Sequence, residues 1–393
     1  MRFLHTSDWH LGRSFHQVGL LDAQAQVLDH LVETVRAERV DAVLVSGDVY
    51  DRALPPPEAV ELLGQTLARL VDAGAQVVVS SGNHDSAVRL GFGSPLLERA
   101  GVHIRTSVAD LHRPVVVDGV AIYPIPYLEP AAVADALGTS ERTHAGVLRA
   151  AMSRINGDRA ERGGRSVVMA HAFVTGAASS DSERDISVGG VANVAASVFA
   201  SSDYVALGHL HGSQQLSESM RYAGSGVALS FSEAGHTKGS WLVDLAADGT
   251  QRVEHVEAPV ARSLAVLRGD LDDLLASRKH AQAEDAWVKV TLTDPVRPLG
   301  AMDRLRRRFP GTLLLDFDPQ GAATPIASYT ARVGRREPLE VCCDFVEHVR
   351  GGAAASGTER ELLQEALEQT RLRRAERAGE GGTGRDARVR GVA

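Results

Sequence analysis

A polar motif follows an apolar β-type run five times in this sequence, and few folds can use such a pattern. The motifs are Asp8-x-His10, Gly47-Asp48-Val49-Tyr50-Asp51, Gly82-Asn83-His84-Asp85, His171 and Gly208-His209-Leu210-His211. The runs before them are Phe3–Leu4, Ala42–Val45, Val77–Val79, Val167–Met169 and Tyr204–Leu207. Metal ligands must converge from distant parts of a chain, and the C-terminal ends of strands in an open α/β sheet are where such residues gather. Five motifs rich in oxygen and imidazole donors predict a two-metal site at those ends.

The surrounding pattern agrees with an α/β fold. Arg2–Ser7 reads as a strand, and Asp22–Glu38 as an amphipathic helix with Val27, Leu28, Leu31 and Val35 at helical spacing. Ala42–Ser46 and Gln76–Ser80 are further strands. Between them Pro55-Pro56-Pro57 starts a helix through about Val71, because proline is tolerated in a first turn. This βαβαβ order favours a largely parallel sheet with helices outside. Beyond residue 100 the segments shorten, and Val115–Val117, Val120–Tyr123, Ser166–Ala170, Tyr204–Leu207 and Trp241–Leu245 predict a second, mixed sheet. Thr175–Gly190 reads as a loop near the site.

A boundary is expected near Ala258-Pro259, giving a first domain over 1–258. After it come a strand Ser263–Arg268, a helix Leu271–Ser277, a strand Ala286–Thr293, a helix Leu299–Phe309 and a strand Thr312–Phe317, a compact β-α-β-α-β unit within 259–335. Glu359–Arg374 reads as a charged amphipathic helix inside a helical segment 336–376, and the tail 377–393 as disordered.

Length and composition set limits. At 393 residues and 44% hydrophobic, the chain can bury two cores. No apolar run approaches the ~20 residues of a membrane span, and the N-terminus enters a strand at once, without the pattern of a signal peptide. Cys342 and Cys343 are adjacent and form no spaced framework, which fits a reducing cytoplasm. The net charge of −8 argues against nucleic-acid binding through bulk electrostatics. Two divalent cations would reverse the local field, and a partner could supply further positive surface.

The motifs divide into two ligand sets. Asp8, His10, Asp48 and His211 suit one metal; Asp48, Asn83, His171 and His209 suit a second. Asp48 is the natural bridge, since one carboxylate can hold two cations at the ~3.5–4 Å typical of two-metal hydrolases. Imidazole, carboxylate and amide donors together suit Mn, Fe or Zn better than Mg or Ca. His84 follows a ligand directly and can face substrate, where it would stabilise phosphoryl oxygens or protonate the leaving oxygen. Asp85 is expected to fix the His84 tautomer, and Asp51 to accept a hydrogen bond from a ligand histidine. Gly47 and Gly82 permit sharp turns beside the metals. Trp9 and Phe15 are expected to pack or to wall the site, and His5, His16, His30, His103 and His144 to be surface or hydrogen-bonded histidines.

In this order the motifs resemble the calcineurin-like metallophosphoesterase superfamily. The segments His5–Arg13, Ser81–Ser86, Ser180–Arg184 with Ser187–Gly190, Asp203–His211 and Ser230–Glu233 with His236 and Lys238-Gly239 closely resemble, within it, bacterial nuclease subunits that work with an ABC-type ATPase. That resemblance implies a two-sheet core with helices outside, a small α/β capping domain over 259–335 and C-terminal helices that dock the partner's long coiled coil. It implies a Mn-dependent nuclease that degrades double-stranded DNA ends from 3′ to 5′ and opens hairpins, as a homodimer within a heterotetramer. The chain departs from the family pattern at Gly226, where proline is usual, and at Gly212-Ser213 after the histidine motif. The competing readings are a phosphodiesterase or phosphatase for small molecules or phosphoproteins on the same metals, and a scaffold that has lost catalysis.

Overall fold

The computed structural model describes residues 1–186, 193–320 and 337–380. It is a mixed α/β protein that divides into two compact units, Met1–Ala265 and Val266–Ala393. In the first unit the strands run β1 (Arg2–Thr6), β2 (Ala42–Ser46), β3 (Gln76–Ser80), β4 (Val102–Arg105), β5 (Val115–Val117) and β6 (Val120–Pro124). They continue as β7 (Arg165–His171), β8 (Tyr204–Gly208), β9 (Gln214–Ser217), β10 (Met220–Tyr222), β11 (Gly239–Leu245) and β12 (Gln251–Glu257).

These strands form two six-stranded sheets, in the orders β12-β11-β1-β2-β3-β4 and β9-β10-β8-β7-β6-β5. The strand sequences explain why the sheets stack. Successive side chains of a strand point to opposite faces, and here both faces are apolar. Phe3, Ala42, Leu44 and Val78 meet Ile122, Val167, Met169, Tyr204 and Ala206 in a core between the sheets. The alternate residues Leu4, Val43, Val45, Val77 and Val79 pack outward with Leu28, Leu31, Val35, Leu63, Leu67 and Leu70 from the helices Leu21–Glu38 and Pro57–Asp72. On the far side, Val168, Ala170, Val205 and Leu207 pack with Val147, Ala151 and Ile155 of the helix His144–Arg162. The result is four layers, with two sheets inside and helices outside.

Helix ends follow local chemistry. Thr143 caps the helix His144–Arg162 by accepting the Gly146 amide at 3.1 Å. Pro57 occupies the first turn of its helix, and Arg39 closes the first helix in the left-handed conformation.

Two sequence expectations need correction. Trp241–Leu245 belongs not to the second sheet but to the first, where β11 runs antiparallel to β1 with Phe3 opposite Val243. Val243 and Leu245 then fill the core between the sheets, a placement that apolar alternation alone does not specify. The pairs β1–β2, β2–β3 and β3–β4 are parallel, as the βαβαβ order predicts, and β11 and β12 add two antiparallel pairs at one edge. In addition, the last helix runs from Gly357 to Glu380, so the first residues of the expected tail are helical. The rest of that tail, Ser187–Gly190 and the end of the expected capping segment lie outside the described residues.

The second unit carries a three-stranded sheet in the order Leu264–Gly269, Trp287–Leu292, Thr312–Phe317, its last pair parallel. Helices Leu271–Ala276 and Ala301–Arg308 alternate with these strands, and Pro338–Val349 precedes the terminal helix. No described helix is long and apolar enough to cross a membrane.

Candidate metal centre

All five motifs meet at one end of the two sheets. Asp8, Asp48 and Asn83 follow the ends of β1, β2 and β3; His171 ends β7, and His209 follows β8. Both sheets thus contribute, and β7 and β8 pair in parallel with His171 beside Gly208. The loops are joined by main-chain bonds from Asp8 N to Gly47 O at 3.1 Å, His10 N to Asp48 O at 3.0 Å and Leu11 N to Val49 O at 3.0 Å.

The backbone at these loops is strained. Asp8, His10, Asp48 and His209 have φ of 52°, 45°, 49° and 102°, in a region that non-glycine residues seldom occupy. Such strain persists only where surrounding structure enforces it, and it gathers at functional sites. Gly82 is needed for close approach, since a Cβ there would stand 2.2 Å from Asp48 Oδ1. Gly47, at φ 86°, would bring a Cβ to 2.3 Å from His171 Nδ1.

The side chains form a buried cluster. One ligand atom each from Asp8, His10 and His211 lies within 4.8 Å of the others, and the same holds for Asp8, Asp48 and His171, and for His10, Asp48 and His84. Asp48 Oδ2 is 3.4 Å from His171 Nε2 and 3.6 Å from His10 Nε2. Asn83 Oδ1 lies 2.8 Å from His171 Nε2 and 3.2 Å from His209 Nδ1. His10 Nε2 faces His211 Nε2 at 3.1 Å.

These contacts can be tested for their fit to cations. His171 Nδ1 lies 3.0 Å from the carbonyl oxygen of Ser46 and must donate to it. That leaves the Nε2 lone pair of neutral His171 facing the acceptor Asn83 Oδ1 and a carboxylate. Three acceptors that face one another in a buried space are stabilised by positive charge among them. Without a cation, a proton supplies it: burial works against the imidazolium, but Asp48 raises the His171 pKa to about 9. Burial would raise Asp48, yet His171 and His10 hold its carboxyl well below the usual range. Asp8 is pushed up to about 6 by burial and, after the opposing pull of His171, by the like charge of Asp48. Burial and the nearby His171 push His209 well below its ordinary value. A cluster that recruits protons to offset buried carboxylates, with neutral imidazoles beside them, suits divalent cations.

The flanking residues divide in roles. His84 Nδ1 donates to Asp51 O at 2.8 Å, and its ring stands edge-on to His10 at 4.7 Å between centroids. The Asp85 carboxylate makes no hydrogen bond to the His84 ring. It accepts the amides of Val49, Tyr50 and Gly82 at 3.1, 2.9 and 2.9 Å, so it joins two ligand loops rather than setting a tautomer. Asp51 Oδ1 is 3.6 Å from His10 Nδ1, beyond hydrogen-bond length, and accepts from Arg13 at 2.9 Å. Trp9 is buried and bonded to Thr6, and Phe15 packs against Phe231 at 4.9 Å. His5 and His144 are buried and hydrogen-bonded.

Sequence reasoning gave no role to Ser182, Glu183, Arg184, Glu233 or Lys238. Ser182 and Glu183 touch His211, and Arg184 bonds the carbonyl oxygen of Asn83 at 3.3 Å. The only sequence signal was their place in motifs quoted for the resemblance. The Gly224–Gly226 loop is pinned by buried Ser225, which donates to Val227 O at 2.8 Å.

Residues 260–350 match the SbcD_C family, the type 5 capsule protein repressor C-terminal domain. Among solved structures, the chain is similar to TT1561 of Thermus thermophilus at 12% identity and a TM-score of 0.38, over 65% of this chain and 98% of that one. It is similar to a dimetal phosphatase from Danio rerio at 16% identity and a TM-score of 0.37, over 66% and 97% of the two chains. Residues 1–213, which carry every motif of the cluster, match the calcineurin-like phosphoesterase profile. That match covers more than half of the 393 residues, and the chain belongs to the calcineurin-like phosphoesterase family.

Proposed function

We propose that this chain is a Mn-dependent DNA nuclease subunit of the SbcD type. In this reading it is a 3′ to 5′ exonuclease on double-stranded ends and an endonuclease on hairpins and single strands. It would work with an SbcC-type ABC ATPase, whose coiled coil it docks, in DNA end processing, replication and recombination. The observation that carries the reading from phosphoesters in general to DNA is the SbcD_C match directly after the phosphoesterase match in one chain.

Asp8, His10, Asp48 and His211 would hold one cation, and Asp48, Asn83, His171 and His209 the other. When bound, such a pair supplies an activated water and charge stabilisation for in-line displacement at phosphorus. The protein's own groups do the positioning. Asp85 fixes the loops that present Asp48 and Asn83. Donation from His84 Nδ1 to Asp51 O leaves Nε2 to face substrate, where its protonated form gives a hydrogen to the phosphoryl or leaving oxygen. Arg184, exposed beside Asn83, adds positive charge at the mouth.

The same reading assigns 259–335 to a capping domain and 336–376 to partner docking, with a homodimer as the unit of assembly. Exposed Val349 and Leu362 on the last two helices favour docking. Leu54, Val88, Phe92 and Leu96, 69–86% exposed near the site, favour a second copy of the chain. The test is digestion of open and end-blocked duplexes in Mn²⁺, with and without the ATPase and ATP, beside a small phosphodiester. Manganese-dependent loss of open duplex is expected; cleavage of the small diester alone would sink the proposal.

A further inference from the structure

Behind His211 lies a buried charge pair that the two-metal reading leaves unused. Glu233 is 1% and Lys238 7% exposed, with Lys238 Nζ 2.5 Å from Glu233 Oε2. Lys238 also donates to the carbonyl oxygen of His211 at 2.8 Å and to Ser225 Oγ at 3.0 Å. The other oxygen of Glu233 accepts from Ser182 Oγ, and Ser180 Oγ lies 3.1 Å from it. Ser182 Oγ in turn lies 2.5 Å from His211 Nδ1.

This chain of bonds has one consistent polarity. A carboxylate accepts only, so the single hydroxyl proton of Ser182 points to Glu233. The Ser182 lone pair is then left to accept Nδ1–H from His211. His211 is thereby fixed as one tautomer, and its Nε2 lone pair faces His10 Nε2. Glu183 completes the hold by accepting the His211 amide at 2.8 Å while its other oxygen takes the amide and hydroxyl of Ser180, each at 2.8 Å.

A buried ion pair is weak evidence for stability, since desolvation offsets its attraction and an apolar pair often serves as well. The geometry points to another role. We propose that Glu233, held by Lys238 and acting through Ser182, is a positioning residue that sets the tautomer and ring direction of His211 for metal binding. The proposal rests on the two-metal reading above.

The test titrates Mn²⁺ alone into the full chain by calorimetry, and records histidine ¹⁵N spectra of the metal-free chain. The wild type is expected to bind two ions and to show His211 as the Nδ1–H tautomer. Ser182→Ala should weaken one ion about 10- to 100-fold, leave the other near its wild-type affinity and mix the His211 tautomers. Ser182→Thr should restore both readouts. Glu233→Leu combined with Lys238→Met should show the same metal loss with little change in melting temperature. Wild-type affinity for both ions in Ser182→Ala overturns the inference alone. A wild-type chain that binds no Mn²⁺ overturns the two-metal reading, and this inference with it.

Discussion

The Nδ1 nitrogen of His84 lies 2.8 Å from the main-chain carbonyl oxygen of Asp51. A main-chain acceptor therefore selects the tautomer, and no side-chain substitution at position 51 or 85 removes it directly. The ring is held while Nε2 remains 4.0 Å from Asp48 Oδ2, on the side of the cluster. His84→Gln keeps a polar group of similar reach but cannot act as an acid or base. Duplex cleavage is expected to fall by about 10²- to 10⁴-fold, with Mn²⁺ stoichiometry unchanged in a dialysed sample. Normal cleavage by this variant would remove His84 from the chemistry.

Asp48 stands between the two proposed ligand sets. Its Oδ2 approaches both His10 and His171, and its Oδ1 accepts the His84 amide at 2.8 Å. Asp48→Ala should lose both cations together, because each set gives up its shared carboxylate. Elemental analysis after dialysis against Mn²⁺ checks this, and two ions per chain in the variant would refute a bridging role.

Asp85 gives a structural prediction. Its carboxylate accepts three main-chain N–H groups, and an Asn side chain would turn its own NH₂ towards one of them. Asp85→Asn should cost about 1–3 kcal/mol, the range for a buried donor left unsatisfied, and should weaken both metals because the loops 47–50 and 82–84 separate. An unchanged melting temperature would show that the three bonds are dispensable.

How much of this was legible in the sequence depends on where side chains meet solvent. The loops that build the buried cluster were legible because each polar motif interrupts an apolar run, and the strand ends set where those interruptions gather. Strand β12 was not, because Gln251–Glu257 has only Val253 and Val256 among polar residues, and their spacing of three breaks the alternation of a strand. Glu233 and Lys238 were not, because a short stretch of Ser, Glu, His and Lys reads as surface; only the fold shows them buried beside His211. The sheet chosen by Gly239–Leu245 was likewise hidden, since both sheets offer it the same apolar core.

His5 provides a pH-dependent prediction away from the ligands. It is wholly buried, with Nδ1 3.1 Å from Tyr204 Oη and Nε2 3.1 Å from Leu207 O. Burial lowers its pKa to about 3, against an ordinary 6.5. Between those values the unfolded chain binds a proton that the folded chain excludes. This contribution to stability is complete above the unfolded pKa and is lost as pH falls towards the folded one, by about 1.4 kcal/mol per pH unit. Urea unfolding with chelator, from about pH 6 to about pH 4, should show a slope shallower by nearly one proton in His5→Gln. Equal slopes would mean that His5 is charged in the fold.

The exposed apolar stripe near the site yields an assembly prediction. Val88, Phe92 and Leu96 are 85%, 86% and 69% exposed, and Leu54 adds to them at 72%. Arg89 ties the two segments by donating to Ala53 O at 3.2 Å. A monomer in solution rarely leaves several side chains of this size open within one short segment, and a second copy would present the same residues in a self-complementary contact. Phe92→Asp buries no charge in the monomer but places one on each side of such a contact. Sedimentation should give a dimer for the wild type and a monomer for the variant, with the melting temperature of the metal-loaded monomer close to wild type at low protein concentration. A dimer that survives Phe92→Asp would locate the contact elsewhere, and a monomeric wild type would leave the stripe to a different partner.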